Sequence, residues 1–319
     1  MKFLAVMILA ALPSFAAVSG TVINRTTGQP QAGATVGLNK LSQNGIELIG
    51  QAKSDAQGKF TIDQEIQGPH VIRTVWDGVS YNHMLPPGRP TTGLSVDVYN
   101  SSKDPGVAKV SKHMILFEPT GSEMVVNETI IYENAGKIAW SNDDGTLRFF
   151  LPAGANGKVQ INATAPNGMP IPAPMVKTSK PDVFAAGFPV KPGETRFDLV
   201  YSFPYNPGDP YEGKILTQDE NTYLIAPAGV TLEGDNLRDL GAEPRTQARI
   251  FALDGAAYKI KLSGSGVDTA PPETSEGPKI EQIMPRINGQ MWTIVGLALG
   301  ILALGFTLLY RANGPKQAK

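Results

Sequence analysis

The chain has no cysteine, only three histidines and only three tryptophans, and its 28 basic side chains are balanced by 29 acidic ones. The lack of cysteine removes disulfides, thiolate metal sites and thiol nucleophiles at once. It also leans toward a bacterial source for an exported chain, because secreted eukaryotic ectodomains commonly rely on disulfides. His70, His83 and His113 are scattered, and none sits in an H-E-x-x-H run, so a zinc-peptidase centre is not expected. No G-x-S-x-G elbow exists for an esterase. A net charge of -1 withholds the basic footprint that nucleic acids require, and no nucleic-acid partner is expected. No cofactor motif survives inspection. The run Gly208 to Lys214 imitates a phosphate loop until Ile215 stands where a Ser or Thr hydroxyl is needed, and it precedes a strand rather than a helix.

Long apolar runs are also scarce, and the two present lie at the ends. Met1 and Lys2 lead into an apolar stretch from Phe3 to Leu12, followed by small residues through Ala16 and Ala17. This order predicts a signal peptide over residues 1–16, cleaved after Ala16, since about ten apolar residues are too few for the roughly 20 that span a bilayer. From Trp292 to Tyr310 there is no charge at all. The spacing predicts a transmembrane helix over 290–311, with Trp292 and Tyr310 in the two headgroup layers and Arg311 beginning a basic cytoplasmic tail over 312–319. Gly296 and Gly300 form a G-x-x-x-G that lets a second helix approach closely. Both ends give the same type I orientation in the inner (cytoplasmic) membrane, with the bulk in the periplasm or extracellular space.

Between these ends the composition favours short strands and turns, with 34 glycines and 26 prolines. Apolar residues alternate around Val18 to Ile23, Ala34 to Leu38, Phe60 to Ile62 and Val71 to Val75, each run bounded by Gly, Pro or Asp. The segments Gly20-Thr21-Val22, Gly28-Gln29-Pro30, Gly33-Ala34-Thr35-Val36 and Ser54-Asp55-Ala56-Gln57-Gly58-Lys59-Phe60 resemble the carboxypeptidase regulatory-like (transthyretin-like) domain pattern. The resemblance covers residues 17–100, with Ser54 in place of the commoner Thr. It implies a seven-stranded prealbumin-like sandwich that accompanies enzymes, receptors and surface proteins without being a catalyst itself.

Residues 101–106, SSKDPG, read as a linker. Strands then follow at Glu123 to Glu133, Thr146 to Leu151, Lys158 to Thr164 and Thr195 to Phe203. Others are expected at Lys214 to Thr217, Tyr223 to Ile225, Arg249 to Ala252 and Tyr258 to Leu262, so that 107–264 form a second, larger antiparallel sandwich. A division near residue 204 is the alternative. The Pro-rich stretch Pro166 to Pro181 reads as an extended loop, and residues 265–285 as a flexible stalk.

Tyr201, Tyr205 and Tyr211, interleaved with prolines, are candidates for a sugar or peptide platform, although strand core followed by a stiff loop is the plainer reading. Asn142, Asp143 and Asp144 before Gly145 offer oxygens for Ca²⁺, but further ligands are out of register and a turn is the simpler expectation. No metal and no cofactor are expected. The fold class is all-β with one C-terminal transmembrane helix. The expected function is that of a noncatalytic, membrane-anchored extracytoplasmic binding or scaffold protein, not an enzyme. Its expected partners are the lipid bilayer, other envelope or membrane proteins, and a polysaccharide as a further candidate. The alternatives are an accessory subunit of a transport or cytochrome-assembly complex and, further off, a carboxylate-based hydrolase.

Overall fold

The computed structural model describes residues 18–42, 45–217 and 222–264, and over these the chain is all-β. The signal-peptide region, the stalk and the apolar run from Trp292 to Tyr310 lie outside the described residues. So do Gly296, Gly300 and Arg311. Among the described residues no helix is long and apolar enough to cross a membrane.

The first part of the chain makes two four-stranded sheets. In one, β1 (Val18–Asn24) pairs antiparallel with β2 (Gln29–Pro30). Strands β3 (Thr35–Ser42) and β4 (Gly45–Lys53) form a hairpin that belongs to the second sheet. Strand β5 (Lys59–Ile62) returns to β1, while β6 (His70–Trp76) and β7 (Val79–Leu85) complete the order β4-β3-β6-β7. Strand β8 (Leu94–Val98) closes the first sheet by running parallel to β1. The alternating residues Val18, Val22, Val36, Leu38, Phe60, Ile62, Ile72 and Tyr81 are buried together between the sheets. Burying each such side chain stabilises by about 1.5–3 kcal/mol relative to leaving it in water.

Two glycines show why the turns and close approaches of this part are so specified. At Gly20 a Cβ would lie 2.3 Å from the Leu94 carbonyl oxygen, so only glycine lets β1 and β8 lie side by side there. Gly58 has a positive φ of 72° and would place a Cβ 2.7 Å from the Val22 carbonyl oxygen. Asp55 holds this same turn, its Oδ1 accepting from the backbone N–H of Gln57 (2.9 Å) and Lys59 (2.8 Å). The buried Ser54 hydroxyl donates to the Gln31 carbonyl (2.7 Å) and accepts from the Ala34 N–H (2.9 Å).

The expected linker is not a bare connector. Asn100–Ser102 is a strand, β9, and Asp104 caps a single 3-10 turn over Pro105–Val107, accepting from the Gly106 N–H at 2.9 Å. Two twelve-residue strands, β10 (Lys109–Thr120) and β11 (Glu123–Asn134), then form a long hairpin. The chain continues through β12 (Ile138–Trp140), β13 (Leu147–Phe150), β14 (Gln160–Thr164), β15 (Ile171–Pro172), β16 (Met175–Lys177) and β17 (Val183–Ala186). Thus the Pro-rich stretch expected as loop carries two short strands, β15 and β16, each pairing where proline permits, at an edge. After β18 (Gly193–Pro204) come β19 (Pro210–Lys214), β20 (Thr222–Ala226), β21 (Thr231–Gly234), β22 (Leu237–Ala242), β23 (Arg249–Leu253) and β24 (Ala257–Ser263). The strand expected at Lys214 to Thr217 lies earlier, because Pro210–Lys214 is the segment that pairs with β24.

Eight of these strands make one sheet in the order β15-β14-β18-β11-β10-β20-β23-β22. Two three-stranded sheets, β13-β17-β16 and β19-β24-β21, share its core. The inward stripe of β18, Phe197, Leu199, Tyr201 and Phe203, meets that of β11, Met124, Val126, Ile130 and Tyr132, as a period of two dictates. Within the run from Met124 to Tyr132 one position of the β11 stripe breaks the apolar pattern: Glu128 points inward with the rest, as the terminal Asn134 does beyond it.

Candidate functional site

The inward Glu128 has a partner on the neighbouring strand. His113 of β10 faces the same core, and its Nε2 lies 2.7 Å from Glu128 Oε1. Their side chains are 2% and 8% exposed. On the other side of the ring, Thr217 Oγ1 lies 3.4 Å from His113 Nδ1, and the buried Thr222 is in register with His113 across the parallel β10–β20 pairing. Three buried tyrosines, Tyr201 from the large sheet and Tyr211 and Tyr258 from the smaller one, lie near enough to feel the Glu128 carboxylate. Burial pushes all three phenols above their ordinary range, and the Glu128 charge pushes in the same direction, so all three are neutral at physiological pH. A carboxylate, an imidazole and a hydroxyl in sequence are the parts of a general-base relay. Here, however, the imidazole is sealed under protein. The pair therefore acts as a core polar link that fixes the alignment of β10, β11 and β20.

The three tyrosines expected as a ligand platform are interior, and this corrects that expectation. Tyr201, Tyr205 and Tyr211 are all buried. Tyr211 stacks on Phe203 with ring centroids 4.8 Å apart, and meets Phe117 edge-on at 5.7 Å. The Tyr205 hydroxyl donates to the Leu262 carbonyl (2.9 Å) and accepts from the Leu262 N–H (3.0 Å), which ties the end of β18 to β24. Rings committed to these contacts offer no face to a sugar. A depression of about 590 Å³ lies beside Tyr201 on the outer side of the large sheet, between Val125, Val159, Val200 and Ser202.

Asn142 to Gly145 is a tight turn: the Gly145 N–H donates to the Asn142 carbonyl (3.0 Å) and the Asp144 N–H to Asn142 Oδ1 (3.1 Å). Among the described residues no group of three or more acidic or histidine side chains could hold a metal ion.

A second polar centre joins the first two sheets to the rest of the chain. The buried Asn24 donates from Nδ2 to Gln31 Oε1 (2.8 Å) and Asn100 Oδ1 (2.7 Å). Trp76 Nε1 donates to the same Asn100 Oδ1 (3.2 Å), and the Asn100 N–H donates to Thr26 Oγ1 (2.9 Å). Thr26 in turn donates to the Lys137 carbonyl. Strand β9 pairs in parallel with β12, and Ala139 of β12 is fully buried within the core of the first two sheets. Beside this joint the Lys191 ammonium sits 5.1 Å from the Tyr81 ring centroid and 5.9 Å from that of Phe188.

Sequence reasoning missed both centres. Nothing in the pattern of the three histidines marks His113, which pairs with a residue fifteen positions away. The available signal was a Glu on the apolar face of β11, which a strict period-two count exposes. For the joint, the signal was Asn24 and Asn100 at the ends of two apolar runs, and only the fold shows that these ends meet.

No family model matches the chain, and a search of the curated proteins finds no match.

Proposed function

We propose that the chain is a noncatalytic extracytoplasmic scaffold or binding protein, held at the inner membrane by its C-terminal apolar run. In this reading the first two sheets are a carboxypeptidase regulatory-like module and the larger assembly is its partner module. The observation that carries it is the joint at Asn100: six hydrogen-bonded residues, with Thr26 reaching the Lys137 carbonyl, and a shared β9–β12 pairing replace a free connector, so that a surface on one module keeps a fixed bearing on the other. Fixed geometry between two surfaces is what a scaffold needs and what a tethered pair of independent domains lacks. The sealed His113–Glu128 pair fits the same reading, since its neighbours leave it a structural task.

The test has two arms. Protease added to spheroplasts should degrade the body while alkaline carbonate leaves the chain in the membrane pellet. Affinity capture of the full-length protein in mild detergent should then recover envelope or membrane proteins. Protection of the body in intact spheroplasts, or release of the chain by carbonate, overturns the proposal.

A further inference from the structure

The outer face of the sheet β4-β3-β6-β7, the side turned away from Val36, Leu38, Ile72 and Tyr81, is unusually apolar for a surface. Among the described residues, four of the ten large apolar side chains that stand most exposed lie on it: Ile46 and Leu48, both more than half exposed, with Met84 and Val75. The register places Leu48, Asn39, Val71 and Met84 in one row across the four strands, and Ile46 beside Leu41 in the next. Leu48 lies flat over Gly37, its Cδ1 2.9 Å from where a Cβ would stand, so a side chain at position 37 would lift it off the sheet. Val71 is buried although it takes no part in the core between the two sheets, which makes the apolar corner continuous across it. The charge on the face has one sign. Lys53 and Arg73 alternate to this side; the Arg73 Nε donates to Asn82 Oδ1 (3.4 Å), and neither cation has a carboxylate partner among the described residues. Glu47 is the one acid in the four strands, and it turns to the opposite side across from Lys40. Asp77, in the turn after β6, accepts from the Ser101 N–H (2.6 Å).

We propose, on the reading of the chain as membrane-held, that this face lies against a bilayer surface containing anionic lipid, with Ile46, Leu48 and Met84 entering the acyl boundary and Lys53 and Arg73 among the headgroups. Size and charge separate a lipid surface from a second copy of the chain. Four strands about 4.8 Å apart, each about seven residues of about 3.3 Å, make a face of roughly 400 Å². Two such faces together would bury about 800 Å², short of the about 1,200 Å² at which specific protein interfaces begin. They would also set Lys53 and Arg73 against the same two cations, with no acid between them. A bilayer demands no matching shape: each apolar side chain partitions on its own account, and each cation gains from the anionic headgroups.

The lack of native cysteine lets a single fluorescent label be placed at will. Gln51→Cys puts it in the middle of the face, and Lys158→Cys puts it on an exposed position of the larger assembly. Each full-length labelled protein is reconstituted singly into nanodiscs of phosphatidylcholine, with or without phosphatidylglycerol, that carry a nitroxide-bearing lipid as quencher. The label at Gln51→Cys should be quenched in the phosphatidylglycerol discs and several-fold less in phosphatidylcholine alone or at high salt, while that at Lys158→Cys stays bright. Ile46→Ser with Leu48→Ser, both at exposed positions, should abolish the quenching, and Arg73→Gln should weaken it several-fold only where phosphatidylglycerol is present. A chain retained in the discs whose two labels are quenched alike overturns the lipid-facing surface alone. A chain that does not stay in the discs overturns the membrane-held reading and this surface with it. Equal quenching in the two lipid mixtures overturns the part given to the cations. A spectral shift of the Gln51→Cys label in lipid-free detergent that grows with protein concentration overturns the proposal in favour of a second copy.

Discussion

The first two sheets and the larger assembly solve the same problem with different cores. Between the first two sheets most inward positions are aliphatic or aromatic; the buried Asn24, Asn39 and Ser54 are hydrogen-bonded, while the buried Thr74 hydroxyl is not. The larger assembly instead buries a hydrogen-bonded His113–Glu128 pair and five tyrosines among its apolar residues. The difference follows strand length. Short strands are set in register by their turns, as Asp55 and Gly58 set β5 against β1, whereas twelve-residue strands can slip by two residues without exposing an apolar stripe. A single pair such as His113 and Glu128 has only one satisfactory alignment, which removes that freedom.

The comparison breaks most sharply at that pair. Glu128→Leu leaves the His113 ring without its acceptor in a dry core, and should cost about 3–5 kcal/mol, read as a fall in the denaturant midpoint. The double variant His113→Leu with Glu128→Leu should recover much of the loss. A double variant no more stable than the single one would show that the pair does more than fix alignment. In the first two sheets the equivalent break is at a turn. Gly58→Ala forces a Cβ against the Val22 carbonyl at a positive φ, and should cost about 2–3 kcal/mol by the same measurement. No polar replacement in that apolar core should match it.

Between the two regions, Asn100→Ala takes the acceptor from both Asn24 and Trp76 and should cost about 1–3 kcal/mol. The more telling readout is cooperativity. One unfolding transition should separate into two as the joint weakens, and a single sharp transition in the variant would assign the coupling to the β9–β12 pairing and Ala139 instead.

The strands were legible wherever one face is wet. The β18 stripe from Phe197 to Phe203 and the β11 run from Met124 to Tyr132 follow the period-two rule, and the turn residues Asp55 and Gly58 announce themselves by type. The order of strands in the eight-stranded sheet was not legible, because the parallel join of β10 to β20 unites residues over a hundred positions apart and leaves no local mark. Aromatic residues misled for a related reason. Tyr201, Tyr205 and Tyr211 alternate with prolines in a way that suits an exposed platform, but Tyr211 itself lies in the smaller sheet of β19, β21 and β24 that packs against the large one, whose approach no local pattern signals. The candidate centres were half visible at best: the polar residues stand out in their strands, and their partners do not.

The smallest expected effect sharpens the comparison at the joint itself. Lys191 titrates near pH 8 in the folded chain and near 10.5 when unfolded, so between these values the unfolded chain binds more protons. Stability must then rise with pH across that window, while below about 8 both states are charged and the full cost of holding the ammonium among the rings remains. The buried tyrosines act oppositely once the unfolded chain's phenols begin to ionise near pH 10, which confines the clean window to about pH 8 to 9.5. Over it the gain should be on the order of 1 kcal/mol or less, since the ring faces offset part of the burial. Measured as the difference between the unaltered chain and Lys191→Met, it cancels the contributions of every other lysine. A difference that stays flat from pH 8 to 9.5 would mean that Lys191 keeps an ordinary affinity for its proton, and that the joint holds it in contact with water.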